Sequence, residues 1–244
     1  MGECPEGNLC VENKISNVPI GSYVSLTPTS TSYTISKDLT GYSEDQTINP
    51  SELNLWRVIR RSDEYGTIDI ISEYVSSIDV IFFGETGYKN FVGVLNEIAA
   101  QYTDEVHIVK TRHVGYSSLT IEKCTGALSE KTCPADAGFI DDLSIVNSVL
   151  GLAGKNLNGG ESGYFFASRG ENLLNVRVVY WGCSTAWGNK VCSYRSGSGY
   201  LGERSGEGLY ITYDSRVRPV LTLKADIKIK SGDGKSAETA YTLE

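Results

Sequence analysis

The sequence predicts an α+β fold with mixed antiparallel sheets, two helices and a long, loop-rich β C-terminal half. Three observations predict it: a β-hairpin pattern over residues 53–77, apolar residues at three- and four-residue steps from Tyr88 to Tyr102, and short β-like runs rich in Tyr, Ser and Gly from residue 157 to residue 230. With 244 residues, 40% of them hydrophobic, the chain is long enough to bury a core as one large domain or two small ones.

Residues 1–52 are rich in Thr, Ser and Pro and are expected to form an N-terminal arm packed on a main domain of residues 53–244. In the arm, GSYVSLTP at 21–28 is a strand candidate and 40–52 reads as a turn. LNLWRVIRRS at 53–62 and TIDIISEYVSS at 67–77 alternate apolar and polar positions around a turn, placing Trp56, Val58, Ile68, Ile70 and Ile71 in the core. After a break at Gly84-Glu85-Thr86-Gly87, Tyr88, Phe91, Val92, Leu95, Ile98, Ala99 and Tyr102 line one face of a helix that ends near Thr103. A shorter helix is expected over 141–150, with Asp141 and Asp142 favourable at its positive end and Gly151 or Gly154 as its stop. Strands are expected at 164–168, 174–181, 191–195, 208–213, 217–224 and 227–230.

Lys+Arg number 22 against 30 Asp+Glu, a formal charge of -8, and no basic run occurs, so the phosphate footprint of a nucleic-acid binder is missing. No stretch of apolar residues is long enough to span a bilayer, and Met1-Gly2-Glu3 has neither the basic nor the apolar part of an export leader.

All six cysteines fall into close pairs, Cys4 with Cys10, Cys124 with Cys133 and Cys183 with Cys192. Each pair sits in a Gly- or Pro-bearing segment short enough to be clipped locally, so three local disulfides are the natural pairing. Closing such small loops contributes at most about 2 to 3 kcal/mol each, which ties down loops of a fold that already has its core. The rival readings are zinc, which lacks its two-to-four-residue ligand spacing here, and unpaired buried thiols. Disulfides imply an oxidising compartment, hence an exported, extracellular protein whose leader precedes this sequence.

Residues 163–223 carry the features of a binding surface. GYFFASR at 163–169 precedes a stretch rich in Tyr, Ser, Gly and Arg closed by Cys183 and Cys192, and VRPVLTLK follows at 217–224. Aromatic rings on short tethers offer a large contact area at low entropic cost, and Ser and Gly let the backbone adapt, as in evolved paratopes. The candidate ligand contacts are Tyr180, Trp181, Trp187, Tyr194, Arg195, Tyr200, Arg204, Tyr210 and Tyr213, rings as anchors and arginines as polar clamps. Arg218-Pro219 is expected to fix an extended entry into the last core strand, its guanidinium on a buried carboxylate or carbonyl.

The order WRVI, GYKNFVGVLNEIAAQY, RHVGY, DDLSIVNSVLG, GYFFASR and VRPVLTLK resembles surface proteins of gut Firmicutes, many of which begin with a prepilin-type leader. Its second half is also similar to domains in which a WLRS-type strand is followed some fifty residues later by a G-RP-V-L run. The resemblance covers residues 56–223 and implies a C-type-lectin-like or formylglycine-generating-enzyme-like fold. Phe165-Phe166-Ala167 stands where that family has WLR, and Arg216 where it usually has glycine.

Enzymes of that family use a closely spaced cysteine pair, for which Cys183 and Cys192 are the candidates, yet the intervening STAWGNKV gives them the look of a clipped hairpin tip. The Glu-Pro-Asn, Gln-Pro-Asp and Trp-Asn-Asp signatures of calcium-dependent lectins do not occur. Glu122, Asp141 and Asp142 as carboxylates and His107 or His113 as a base assemble no nucleophile, base and orienter. His113 is expected to hydrogen-bond a loop backbone. The sequence therefore predicts a non-enzymatic recognition or adhesion domain without cofactor or metal, membrane- or pilus-anchored, binding a glycan or protein ligand at the cell surface. A structural pilin-like or surface-layer subunit is the alternative, and a redox enzyme of the formylglycine-generating type the third reading.

Overall fold

The computed structural model describes residues 14–28, 30–62, 66–102, 108–114, 139–140, 143–151, 154–169, 175–186, 189–200 and 213–244. In chain order they form β1 (Tyr23–Ser25), β2 (Tyr33–Ile35), α1 (Lys37–Thr40), β3 (Gln46–Ile48), β4 (Leu55–Ser62), β5 (Thr67–Ser72), β6 (Val80–Phe82) and α2 (Gly84–Ala100). These are followed by β7 (Ile108–Val114), β8 (Phe139–Ile140), α3 (Leu143–Leu150), β9 (Gly154–Lys155), β10 (Glu161–Ser162), β11 (Tyr164–Arg169), β12 (Asn175–Ala186) and β13 (Asn189–Tyr200). β14 (Tyr213–Ser215), β15 (Pro219–Lys224), β16 (Ile229–Ser231) and β17 (Tyr241–Leu243) complete the order. Short 3-10 turns stand at Ile15–Asn17 and Pro50–Glu52. The fold is α+β with few helices and mainly antiparallel sheets.

An eight-stranded sheet in the order β16-β17-β1-β4-β5-β15-β7-β8 forms the body. Its β1–β17 and β7–β8 pairs are parallel, and its other pairs are antiparallel. The β4–β5 hairpin lies near its middle, and Trp56, Val58, Ile68 and Ile70 are buried there as their alternation predicts, while Ile71 is buried on the opposite face. β1 pairs β4 on one side and β17 on the other, so residues near both ends of the chain close onto the hairpin. Ile15, Val18, Val24, Leu26, Ile35 and Ile48 extend the core into the first fifty residues.

α2 covers one face of this sheet, burying Phe91, Val92, Leu95 and Ile98 against Trp56, Val58, Ile70 and Leu221. Trp56 donates its indole N–H to the Leu26 carbonyl at 3.1 Å and meets Tyr102 edge-on at 6.0 Å. The helix starts at Gly84, inside the segment that reads as a break. There the end of α1 approaches so closely that a Cβ on Gly87 would stand 2.6 Å from the Thr40 carbonyl oxygen, which also accepts the Phe83 N–H at 2.8 Å. Gly87 admits a neighbouring backbone and does not interrupt the helix. α3 ends where expected, at Gly151 with φ +78°.

Residues 40–52 depart from the predicted turn. They contain β3, which pairs β2 antiparallel around α1, a one-turn helix capped by the Ser36 hydroxyl and closed by Gly41 at φ +70°. Three residues of strand leave too little alternation to read. The Arg112-His113 segment lies within β7, between β15 and β8, and not in a loop.

Candidate functional site

The long hairpin of β12 and β13 holds most of the candidate ligand residues that the structure describes. Each strand has twelve residues, and every position from Asn175↔Tyr200 to Ala186↔Asn189 is paired. At the usual rise this ladder runs about 40 Å. β11 pairs only the base, with Tyr164 opposite Val179 and Phe165 opposite Val178, so from Tyr180 outward β12 has only β13 as a strand neighbour among the described residues. The expected loops between 181 and 191 are therefore mostly strand. Gly182, Cys183, Ser184 and Thr185 have little of the apolar alternation that marks a strand, and the ladder itself supplies their order.

The base of this hairpin is fixed to the body at two places. Phe165 meets Phe82 of β6 at 5.4 Å and Phe91 of α2 at 5.2 Å, both edge-on, and Phe82 meets Phe91 at 4.8 Å. Its neighbour Tyr164 lies on the opposite side of β11, with the Arg218 guanidinium 5.2 Å from its ring centre. Arg218 is buried and donates Nε–H to the Ser72 carbonyl at 2.9 Å, a carbonyl partner of the kind expected from the Arg-Pro pair. The Phe165 N–H also reaches the Arg216 carbonyl at 2.9 Å.

The pleat sorts the candidate residues. Trp181 opposite Tyr194, Cys183 opposite Cys192, and Tyr200 opposite Asn175 share one side of the ladder. Tyr180 and Arg195, opposite each other, take the other side, which continues from Phe165 and Val178. Ser193, also on that second side, is exposed. Tyr213 opens β14 and pairs Phe82, beside the base and away from the outer ladder. Trp187, Arg204 and Tyr210 lie outside the described residues, as do Cys4, Cys10, Cys124 and Cys133.

A second charged cluster was not anticipated from the sequence. On the side of the central sheet away from α2, Arg60 grips one Asp69 oxygen at 2.7 Å while the Thr222 hydroxyl donates to the other at 2.5 Å. Nearby, buried Glu73 accepts from Lys155 Nζ at 2.6 Å and from Arg57 at 3.3 Å. Arg57 also donates to the Gly21 carbonyl at 2.6 Å and lies 4.0 Å from the centre of the Tyr23 ring. The hydrogen bond to Glu73 holds the Lys155 ammonium above the ordinary lysine pKa. These carboxylates are consumed by their cations, so the cluster joins β4, β5, β9 and the β1 turn electrostatically and presents no poised acid or base. Charged residues inside otherwise apolar strands, Arg57, Arg60 and Asp69, were the available signal.

Among the described residues no group of three His, Cys, Asp or Glu side chains converges as a metal site, and no helix is long and apolar enough to cross a membrane. In comparisons with known proteins, no family model matches the chain, and neither a curated protein nor a solved structure matches it significantly.

Proposed function

We propose that the protein is an extracellular, cell-surface recognition or adhesion domain, non-enzymatic, that binds a glycan or protein ligand through the β12–β13 hairpin. The observation that carries this reading is the paired ladder itself, anchored by Phe165 and Tyr164 at one end and lacking a third strand from Tyr180 outward among the described residues. Such an arm sets Trp181 and Tyr194 on a rigid support, which reduces the ordering cost of binding. Cys183 and Cys192 face each other in the register, and directly opposed antiparallel residues stand about 4.5 to 5.5 Å apart between Cα atoms, within the span a disulfide bridges. A bridge there would clamp the arm next to the aromatic pair.

The finer fold assignment, a C-type-lectin-like core, rests on the sequence resemblance and on the plan of two main helices with a β-rich second half. A glycan array probed with the protein tests the carbohydrate version: retention that falls on Trp187→Ala or Tyr200→Ala supports it, and retention indifferent to both removes it.

The second reading, a pilin-like or surface-layer subunit, is favoured by one observation. The outer edge of β13 has no strand partner among the described residues, and an open edge is a template for a neighbouring copy. Light scattering at high concentration separates the two, a strict monomer counting against the subunit reading.

A further inference from the structure

The hairpin arm differs in charge from the chain that carries it. Residues 175–200 contain Arg177, Lys190 and Arg195 and no Asp or Glu, whereas the whole chain has 22 Lys+Arg and 30 Asp+Glu. The remainder is left with 19 basic against 30 acidic residues, so a +3 arm is carried on a -11 body.

The register arranges these charges in a row. Arg177 stands four positions from Trp181 along β12, and Lys190 four positions from Tyr194 along β13, so both share the side of the Trp181–Tyr194 pair. Lys190 faces Thr185, which places it beyond the aromatic pair toward the tip, while Arg177 lies toward the base. At about 3.3 Å per residue each basic position is about 13 Å from the aromatic pair, and the two are about 26 Å apart. Arg195 is on the opposite side, across from Tyr180.

A row of cation, aromatic pair and cation along one side of the ladder suits a linear ligand with repeated negative groups on flat units. The apolar faces of sugar rings stack on indole and phenol rings, and carboxylates repeated along a chain meet both cations in one extended pose. The acidic body repels the same polyanion elsewhere, which confines it to the arm. Resting on the recognition reading above, we infer that the Trp181 side of the arm binds a linear acidic polysaccharide.

The test measures binding of the full 244-residue protein to immobilised polygalacturonate and to its fully methyl-esterified, uncharged counterpart, at low and at high salt. The inference predicts retention on the acid polymer, weakened at about 0.5 M salt, where the Debye length is about 4 Å, and at least about tenfold weaker binding to the ester. Arg177→Gln and Lys190→Gln should each weaken binding about two- to fivefold, the range of one exposed ion pair, while Lys230→Gln, an exposed lysine of the body, leaves it within about twofold. Circular dichroism confirms that each variant is folded. Equal binding of acid and ester polymers, or a Lys230→Gln loss as large as the other two, overturns the acidic class and leaves the recognition reading standing. No retention on either polymer or on any glycan of an array defeats both. Salt-sensitive self-association abolished by Lys190→Gln assigns the row to the acidic body of a second copy and overturns the glycan inference.

Discussion

Phe165 of β11 stands opposite Val178 of β12 and, in the same place, packs its ring edge-on against Phe82 and Phe91. One residue thus belongs both to the base of the hairpin arm and to the core beneath α2. Phe165→Ala should lower stability by about 3 to 5 kcal/mol, the cost of emptying a buried aromatic site. Urea denaturation measures this, and hydrogen exchange of β12 and β13 should accelerate more than that of β4 and β5. Equal acceleration throughout would mean that the arm has no anchoring dependence on this ring.

Cys183 and Cys192 are predicted to be bridged, so that unreduced peptide mapping recovers them as one linked peptide. The double change to Ser should leave the protein folded, with a stability loss of no more than about 2 to 3 kcal/mol for so small a loop. Ligand affinity should fall more than thermal stability does. A large destabilisation with unchanged affinity would place the clamp's role in the fold.

Glu73→Gln should destabilise by about 2 to 4 kcal/mol, because Arg57 and Lys155 would lose the one carboxylate that both engage. Lys155→Gln should cost less, since half of its side chain is in solvent. Thermal melts of the two variants check the order.

Alkaline pH should destabilise the protein before it titrates lysine generally. Burial, with the hydrogen bond to Glu97, pushes the Tyr33 phenol up to about 12, and burial raises Tyr102 as well. Because the folded state holds these phenols neutral, their contribution is complete below the ordinary tyrosine value of about 10 and is lost as pH rises toward the folded value. Melting temperatures between about pH 8 and 12 should decline from about pH 10, and Tyr102→Phe should shallow that decline.

The parts of the fold legible in the sequence are those whose order is local and periodic. Trp56, Val58, Ile68 and Ile70 repeat at the strand period, and Tyr88 through Tyr102 at the helical one, so their burial follows from spacing alone. The three-residue strands β3 and β17 carry too few alternations to read, whereas β1 falls within the strand candidate at 21–28 and its place in the sheet is set by two partners remote in sequence, Trp56 and Tyr241. The break expected from Gly84 to Gly87 fails for the same reason: Gly87 answers to the Thr40 carbonyl, a contact invisible along the chain. For the candidate site, the residue types were legible and their arrangement was not. Tyr180 and Trp181 alternate across the strand expected at 174–181, but the residues that stand opposite them, Arg195 and Tyr194, are set by the register of the pairing. The ion cluster of Glu73, Arg57 and Lys155 draws on three separate segments, so that Arg57 inside an apolar strand was a local sign of it while its partners were not legible.

If the arm carries recognition and the body carries stability, trimming the arm separates the two. Joining Tyr180 to Arg195 through an Asn-Gly turn removes residues 181–194 at a directly opposed pair and supplies the turn chemistry such a hairpin needs. The account predicts a folded protein whose melting temperature falls by less than about 10 °C, because Phe165, Tyr164 and the body contacts remain, and which no longer binds the ligand of the intact chain. A trimmed protein that retains that ligand with unchanged affinity would contradict the account.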